Sequence, residues 1–228
     1  KGKHPVLDSL ATLGFHHPTR GRFFRGELAA MLKIAYEQGV DPAELRGSYA
    51  GAMGYPQFIP TSYQAYAVDF DQDGIRDLWN NPIDAIGSVA NYFAEHKWQA
   101  GEPIYQQAEG PQSPPENIEF NQSGTPTLTL SEVMDAGITP RGQGYEAFMS
   151  DPQRLVVPLY LDISTDEQDY RLGGFNFYVI MRYNHSHLYA MAVTELAQAI
   201  ADMAAVEDIS TRGEQAVTIG QGKRMTNE

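Results

Sequence analysis

The segment Asp69-Phe-Asp71-Gln-Asp73-Gly74-Ile75-Arg-Asp77 constrains the fold of this chain more than any other. Three aspartates at alternate positions ahead of a glycine repel one another without a cation. Their spacing matches the first half of an EF-hand loop, where side chains on a turning backbone converge on one hard cation. Asp69, Asp71 and Asp73 are therefore expected metal ligands. Gly74 permits the sharp turn, and Ile75 offers its carbonyl oxygen. The twelfth position, where a bidentate Glu closes an ordinary loop, is Asn80. A carboxylate arrives later at Asp84, on the first turn of the next helix, so a lengthened loop is expected to close there around a structural Ca2+. Magnesium is the less suitable ion because it demands stricter octahedral geometry. A solvated acidic turn capping the next helix is the competing reading.

Around this loop the hydrophobic periodicity is mainly helical. Leu28, Met31, Leu32 and Ala35 predict a helix over 26–39, and Asp41-Pro42 predicts another short one with Asp41 as N-cap. Residues 62–68 read as a helix. Residues 82–97 read as a stronger one, with Ile83, Ile86, Val89, Ala90 and Phe93 on its apolar stripe. Composition shifts after Trp98 towards Gly, Pro, Ser and Gln. Thr129-Leu-Ser-Glu132 has the spacing of a capping box, and 155–163 and 175–182 read as strands. A closing helix is expected over 186–206 on the stripe Tyr189, Ala192, Val193, Leu196, Ile200 and Met203, followed by a polar tail. The expected organisation is a helical core over 1–100, a small β-rich insert over 101–165, a return to the core over 166–206 and a flexible tail over 207–228.

The 228 residues, 42% of them hydrophobic, suffice for one core, or a core with a small second lobe. No apolar run approaches the roughly 18 residues a membrane helix requires. Cysteine is absent, which leaves both a bacterial envelope and a cytosol open. The net charge of −13 argues against a nucleic-acid partner. Thirteen tyrosines against two tryptophans suit carbohydrate recognition, since tyrosine combines an apolar face with a polar tip.

The stretch Gly47-Ser48-Tyr49-Ala50-Gly51-Ala52-Met53-Gly54-Tyr55-Pro56-Gln57-Phe58-Ile59-Pro60 is hard to explain as core packing. Its small residues let the backbone approach a ligand, while Ser48, Tyr55 and Gln57 present hydroxyl and amide groups. This segment, the aspartate loop, Asp84-Ala-Ile-Gly-Ser-Val-Ala-Asn-Tyr-Phe93, Arg182-Tyr-Asn-His-Ser186 and Tyr189-Ala-Met-Ala-Val193 resemble the membrane-bound lytic transglycosylase B family. The resemblance spans roughly residues 1–206.

The resemblance implies an α+β protein: a mainly helical lysozyme-like core with an EF-hand-type loop and a small β-rich insert. It implies cleavage of the β-1,4 bond between N-acetylmuramic acid and N-acetylglucosamine in peptidoglycan, with a 1,6-anhydromuramyl product. One glutamate serves as acid and then base, where ordinary glycosidases pair two carboxylates. Carried onto this sequence, Ser48 and Gln57 bind acetamido and hydroxyl groups, and Tyr55, Phe58 and Tyr92 line the groove. Tyr183, Asn184 and Tyr189 close it from the opposite side, and Arg20 meets peptide or muramyl substituents. Core packing is the competing reading for Phe58 and Tyr92, and a surface ion pair for Arg20.

The family's catalytic glutamate lies in a Glu-Ser/Thr-x-x-Gly context that is expected upstream of Lys1, so residues 1–228 alone are expected to be inactive. Glu27, Glu37 and Glu44 are read as non-catalytic, Glu27 as favouring the dipole of its own helix. His185-Ser-His187 reads as helix-end hydrogen bonding rather than a metal site. The implied setting is a monomer in the periplasm acting on glycan strands. Anchoring to the outer membrane through an upstream segment and contact with cell-wall synthases stay open. A non-catalytic peptidoglycan-binding module and a water-using muramidase remain the alternatives.

Overall fold

The computed structural model describes residues 2–164 and 167–222, with the backbone alone beyond residue 205. Its contacts divide the chain between Trp98 and Gln99. The first unit holds strand β1 (His4–Pro5), helices α1 (Val6–His16) and α2 (Gly21–Gln38), strand β2 (Arg46–Gly47), and helices α3 (Pro60–Tyr66) and α4 (Pro82–Glu95). The short strands β1 and β2 pair antiparallel, with His4 opposite Gly47. Phe24, Ala30, Met31, Ile34 and Ala35 form the buried face of α2, whereas Leu32 of the expected stripe is exposed.

No helix follows Asp41. Its Oδ1 accepts from the Ala43 N–H at 2.9 Å, and the chain makes one turn before Leu45 is buried and β2 begins. The Asx turn and the pull of Leu45 into the core stop the helix that the Asp-Pro pair otherwise favours.

Helix α3 carries no side-chain cap of its own at Ile59. Glu27, buried on α2, supplies it from outside: its carboxylate accepts from the Thr61 N–H at 2.9 Å and the Thr61 hydroxyl at 2.8 Å. Glu27 lies well inside α2, so the helix dipole it serves is that of α3, not its own. This corrects the sequence reading of the residue.

The buried face of α4 is also not the expected one. Ile83, Ile86 and Ala90 are exposed, while Asp84, Ala85, Gly87, Ser88 and Tyr92 are buried. Helix α4 docks through polar and small side chains. The Ser88 hydroxyl accepts from the Val68 N–H at 3.0 Å, and the Phe70 ring covers Gly87 so closely that a Cβ there would lie 2.5 Å from it.

The second unit is built on strands β3 (Tyr105–Glu109), β4 (Leu128–Thr129), β5 (Thr139–Pro140), β6 (Leu155–Ser164) and β7 (Glu167–Gly173). They form one antiparallel sheet in the order β4-β6-β7-β3-β5. Helices α5 (Leu130–Asp135) and α6 (Tyr145–Met149) complete it, and α7 (Phe175–Tyr183) and α8 (His187–Gly222) follow. The capping box forms at the start of α5 as read from the sequence. Leu130, Val133, Ile138, Phe148, Val156 and Leu172 make the core.

Phe175–Tyr183 is a helix, not the expected strand. Gly173-Gly174 ends β7, and the buried Asn176 amide accepts from the Gln99 N–H and donates to the Gln99 carbonyl, both at 2.8 Å. That clamp fixes the start of α7, and Phe177, Ile180 and Met181 then fall on its inner face. The sheet extends to Gly173, past the boundary at 165/166. In α8 the inner residues are Ala190, Met191 and Thr194, while Leu196, Ile200 and Met203 of the expected stripe are exposed. The backbone stays helical to Gly222 where a flexible tail was expected, and residues 223–228 of that tail lie outside the described residues. Among the described residues no helix is long and apolar enough to cross a membrane.

Replacing Glu27 with Ala strands the first turn of α3 without an acceptor. The variant is expected to lose about 2 kcal/mol of unfolding free energy, as for hydrogen bonds to a charged group, measured by urea denaturation. A loss below a few tenths would show that α3 does not need this cap.

Candidate saccharide site and cation loop

The aspartate loop runs between α3 and α4, so it is flanked by helices as an EF-hand-type loop requires. Carboxylate oxygens of Asp69, Asp71 and Asp84 lie within 4.8 Å of one another. Asp84 is 0% exposed. Its Oδ1 accepts from the Phe70 N–H at 2.8 Å and its Oδ2 from the Asp77 N–H at 2.9 Å. Asp69 holds the turn from the inside, accepting from the N–H groups of Asp73 at 3.1 Å and Gly74 at 2.8 Å. Asp71 accepts from the Asn81 amide at 2.8 Å. Gly74 has φ +95°, the left-handed turn its position demands.

One expected ligand stands apart from this group. The Asp73 carboxylate accepts from the Ile75 N–H at 2.8 Å and is not among the three gathered aspartates. Ile75 has an exposed side chain. Asn80 donates to Asp77 at 3.2 Å rather than closing the loop. The gathered donors are hard carboxylate oxygens, one of them fully buried, and this chemistry suits calcium, which takes six or more oxygens at flexible geometry.

The loop is fastened from α3 as well. The Tyr63 hydroxyl donates to the Arg76 carbonyl, and burial pushes the Tyr63 pKa up to about 12. The Tyr63 and Trp79 rings lie 5.8 Å apart.

The Gly-rich segment folds as a set of tight turns. The Ser48 hydroxyl accepts from the N–H groups of Ala50 at 3.2 Å and Ala52 at 3.0 Å. Met53 and Phe58 exchange backbone hydrogen bonds at 2.7 and 3.2 Å, pinching off a four-residue excursion that presents Tyr55 and Gln57 to solvent. Tyr55 is 49% exposed. Gln57 has φ +55°, unusual for a non-glycine residue. Its amide nitrogen donates to the Gly54 carbonyl at 2.8 Å, which fixes the amide against the turn and leaves its oxygen as the acceptor of the pair.

Phe58 and Tyr92 do not line a groove with their faces. They are 2% and 7% exposed and pack against each other at 6.0 Å, with Tyr66 and His96 completing the cluster. Their apolar faces bury better against each other than in water, so they serve as the floor on which the turn rests. Arg20 is exposed at the start of α2, its guanidinium 4.6 Å from the centre of the Phe23 ring. Among the described residues it forms no ion pair, and the ring of Phe23 is its neighbour instead.

In the second unit, Tyr183 and Tyr189 lie nearly parallel at 6.4 Å with the exposed Asn184 between them in sequence. Burial raises the Tyr189 pKa above the ordinary tyrosine value. His187 is half-buried, and burial lowers its pKa against the opposing pull of a contact with the Asn121 backbone. Sequence reading missed the roles of Glu27 and Ser88. The only signal for either was a polar residue on the inner side of a helical period.

Residues 1–198 match the family described as transglycosylase SLT domain. The chain is 46% identical over 205 residues to the membrane-bound lytic murein transglycosylase B of Escherichia coli, a match covering 88% of this chain and 52% of that protein. The crystal structure of the soluble lytic transglycosylase SltB1 from Pseudomonas aeruginosa superposes with a TM-score of 0.81 at 44% identity, covering 90% of this chain and 65% of that one. The E. coli lytic transglycosylase Slt35 in complex with calcium gives a TM-score of 0.77 at 44% identity, covering 88% and 60%. The chain thus spans about half the length of the curated relative it matches.

Replacing Asp84 with Ala removes the acceptor of two backbone N–H groups at a buried point. The variant is expected to lose about 3 kcal/mol, from hydrogen bonds to a charged group. Asp73→Ala, at an exposed turn, is expected to change stability by no more than about 0.5 kcal/mol. Denaturant titration without added cation measures both, and equal losses would contradict the assignment of Asp84 as the node of the loop.

Proposed function

The chain belongs to the transglycosylase SLT domain family, and from that premise we propose that it is the saccharide-gripping, cation-braced part of a peptidoglycan lytic transglycosylase. The reaction is cleavage of the β-1,4 bond between N-acetylmuramic acid and N-acetylglucosamine with formation of a 1,6-anhydromuramyl end. The observation that carries the reading is the 53–58 turn, which holds the exposed Gln57 at a positive φ, its amide fixed on the Gly54 carbonyl, beside the exposed Tyr55. Strain of this kind costs about 1 kcal/mol or more and persists only where the surrounding structure enforces it.

In this reading Gln57 and the Ser48 hydroxyl meet acetamido and hydroxyl groups, and Tyr55 offers a face to a sugar ring. Tyr183, Asn184 and Tyr189 contribute hydroxyl and amide contacts of their own, and Arg20 meets an anionic substituent. Asp69, Asp71 and Asp84 hold calcium, with Asp73 and the Ile75 carbonyl completing the shell and Asp73 turning from the Ile75 N–H to do so. The ion's contribution is structural: it cancels the repulsion among the aspartates.

The general acid is assigned to a glutamate upstream of Lys1. Glu27 is committed to Thr61, Glu37 pairs with Lys33 at 3.6 Å, and Glu44 is exposed in a turn. Glu37 and Glu44 are exposed and lack the apolar surroundings that hold a catalytic acid protonated. In this reading the protein acts on glycan strands in the periplasm. Monomeric action, an outer-membrane anchor and contact with cell-wall synthases belong to the same proposal.

Purified residues 1–228 and a version extended upstream to include the glutamate, each incubated with peptidoglycan sacculi, test the reading. The shorter chain is expected to bind sacculi and release nothing. The extended one is expected to release muropeptides one water lighter than reducing-end products, by mass spectrometry. Reducing ends would indicate a water-using muramidase. Release of products by the shorter chain would overturn the upstream acid, and failure of either to bind would overturn the proposal.

A further inference from the structure

We infer that Leu78 and Trp79 are positioning residues that couple cation binding at the aspartate loop to saccharide binding at the 47–58 segment; the inference rests on the reading of both sites given above. Three contacts join the segments. The Tyr55 N–H donates to the Leu78 carbonyl at 2.8 Å. Trp79 Nε1 donates to the Arg46 carbonyl at 3.1 Å, one residue before the Gly-rich stretch begins. Gly54, at φ +67°, lies so close beneath Leu78 that a Cβ there would stand 2.4 Å from the Leu78 carbonyl oxygen. The same strut is tied to the cation loop through the Asp77 N–H on Asp84 Oδ2 at 2.9 Å. Only one hydrogen bond, one residue step and a second hydrogen bond therefore separate Asp84 from Tyr55.

The strut has little slack. Leu78 is fully buried, and the Trp79 indole lies beside Tyr63, whose hydroxyl holds the Arg76 carbonyl. Without a cation, repulsion among Asp69, Asp71 and Asp84 widens the set of loop conformations. The strut is part of that loop, so the ordering of Tyr55 and Gln57 loosens with it. A cation that narrows the loop pre-orders the turn, and a saccharide that clamps the turn narrows the loop in return. Linkage requires the two effects to be equal in size.

Isothermal titration of the 228-residue chain with Ca2+, in the presence and absence of the N-acetylglucosamine tetramer, and the converse titration, measure the coupling. Calcium is expected to tighten saccharide binding at least about fivefold, within the usual range of coupling, and the saccharide to tighten calcium by the same factor. In Trp79→Phe, which keeps a ring but loses the indole donor, both ligands are expected to bind while the factor falls towards one, with an unchanged far-UV circular dichroism spectrum. Should that variant fail to fold, Trp79→Leu provides the same readout by removing the indole donor to the Arg46 carbonyl while keeping an apolar side chain. Independent binding of the two ligands in the unaltered chain, or the full factor retained in the folded variants, would overturn the coupling. Failure of the unaltered chain to bind calcium or the saccharide would instead overturn the site assignments beneath it.

Discussion

The Asp84 carboxylate is the constraint on which the first unit depends. A fully buried charge is costly unless each oxygen is met, and here the oxygens accept from Phe70 and Asp77. Those two N–H groups lie seven residues apart across the aspartate loop, so satisfying Asp84 closes the loop and docks α4 in one event. Ser88 adds the Val68 N–H one turn further along the helix, and Gly87 makes room for the Phe70 ring. The helix therefore binds the loop through polar groups that only one register can satisfy, a specificity that an apolar face lacks.

The Gly-rich segment inherits its order from two supports. Phe58 anchors it to the ring cluster of Tyr66, Tyr92 and His96. On its other side Leu78 and Trp79 hold Tyr55 and Arg46 through backbone carbonyls. A site built in this way presents few side chains to solvent. Tyr55 and Gln57 are exposed because the residues around them are either small or buried, which suits recognition of a neutral polymer by a short row of hydrogen-bonding groups.

Much of this was legible in the sequence where chemistry left a spacing. The spacing of the alternating aspartates and the late carboxylate at Asp84 anticipated the gathering of Asp69, Asp71 and Asp84, and the three-residue reach of a glutamate anticipated the capping box at Thr129. The Gly-rich stretch signalled a backbone that approaches something closely. Hydropathy misled where burial is polar: the inner face of α4 carries Asp84, Gly87 and Ser88, so Ile83 and Ile86 drew the stripe to the wrong side. Phe175–Tyr183 has the composition of a strand, and only the Asn176 clamp, which joins segments more than seventy residues apart, settles it as a helix. Aromatic residues near a glycine-rich turn suggested sugar contacts at Phe58 and Tyr92, whereas mutual burial of the rings decides their place. Glu27 looked like an ordinary helix charge because its partner, Thr61, is distant in sequence.

The claim that the Asp84 carboxylate closes the loop is tested most directly by amide hydrogen exchange at Phe70 and Asp77, read by NMR. The account expects both amides to exchange only through large-scale unfolding of the first unit, with protection close to that of the α2 core. Exchange at the rate of an open turn, while α2 stays protected, would show that the carboxylate does not hold these groups and that loop and helix are joined by something else.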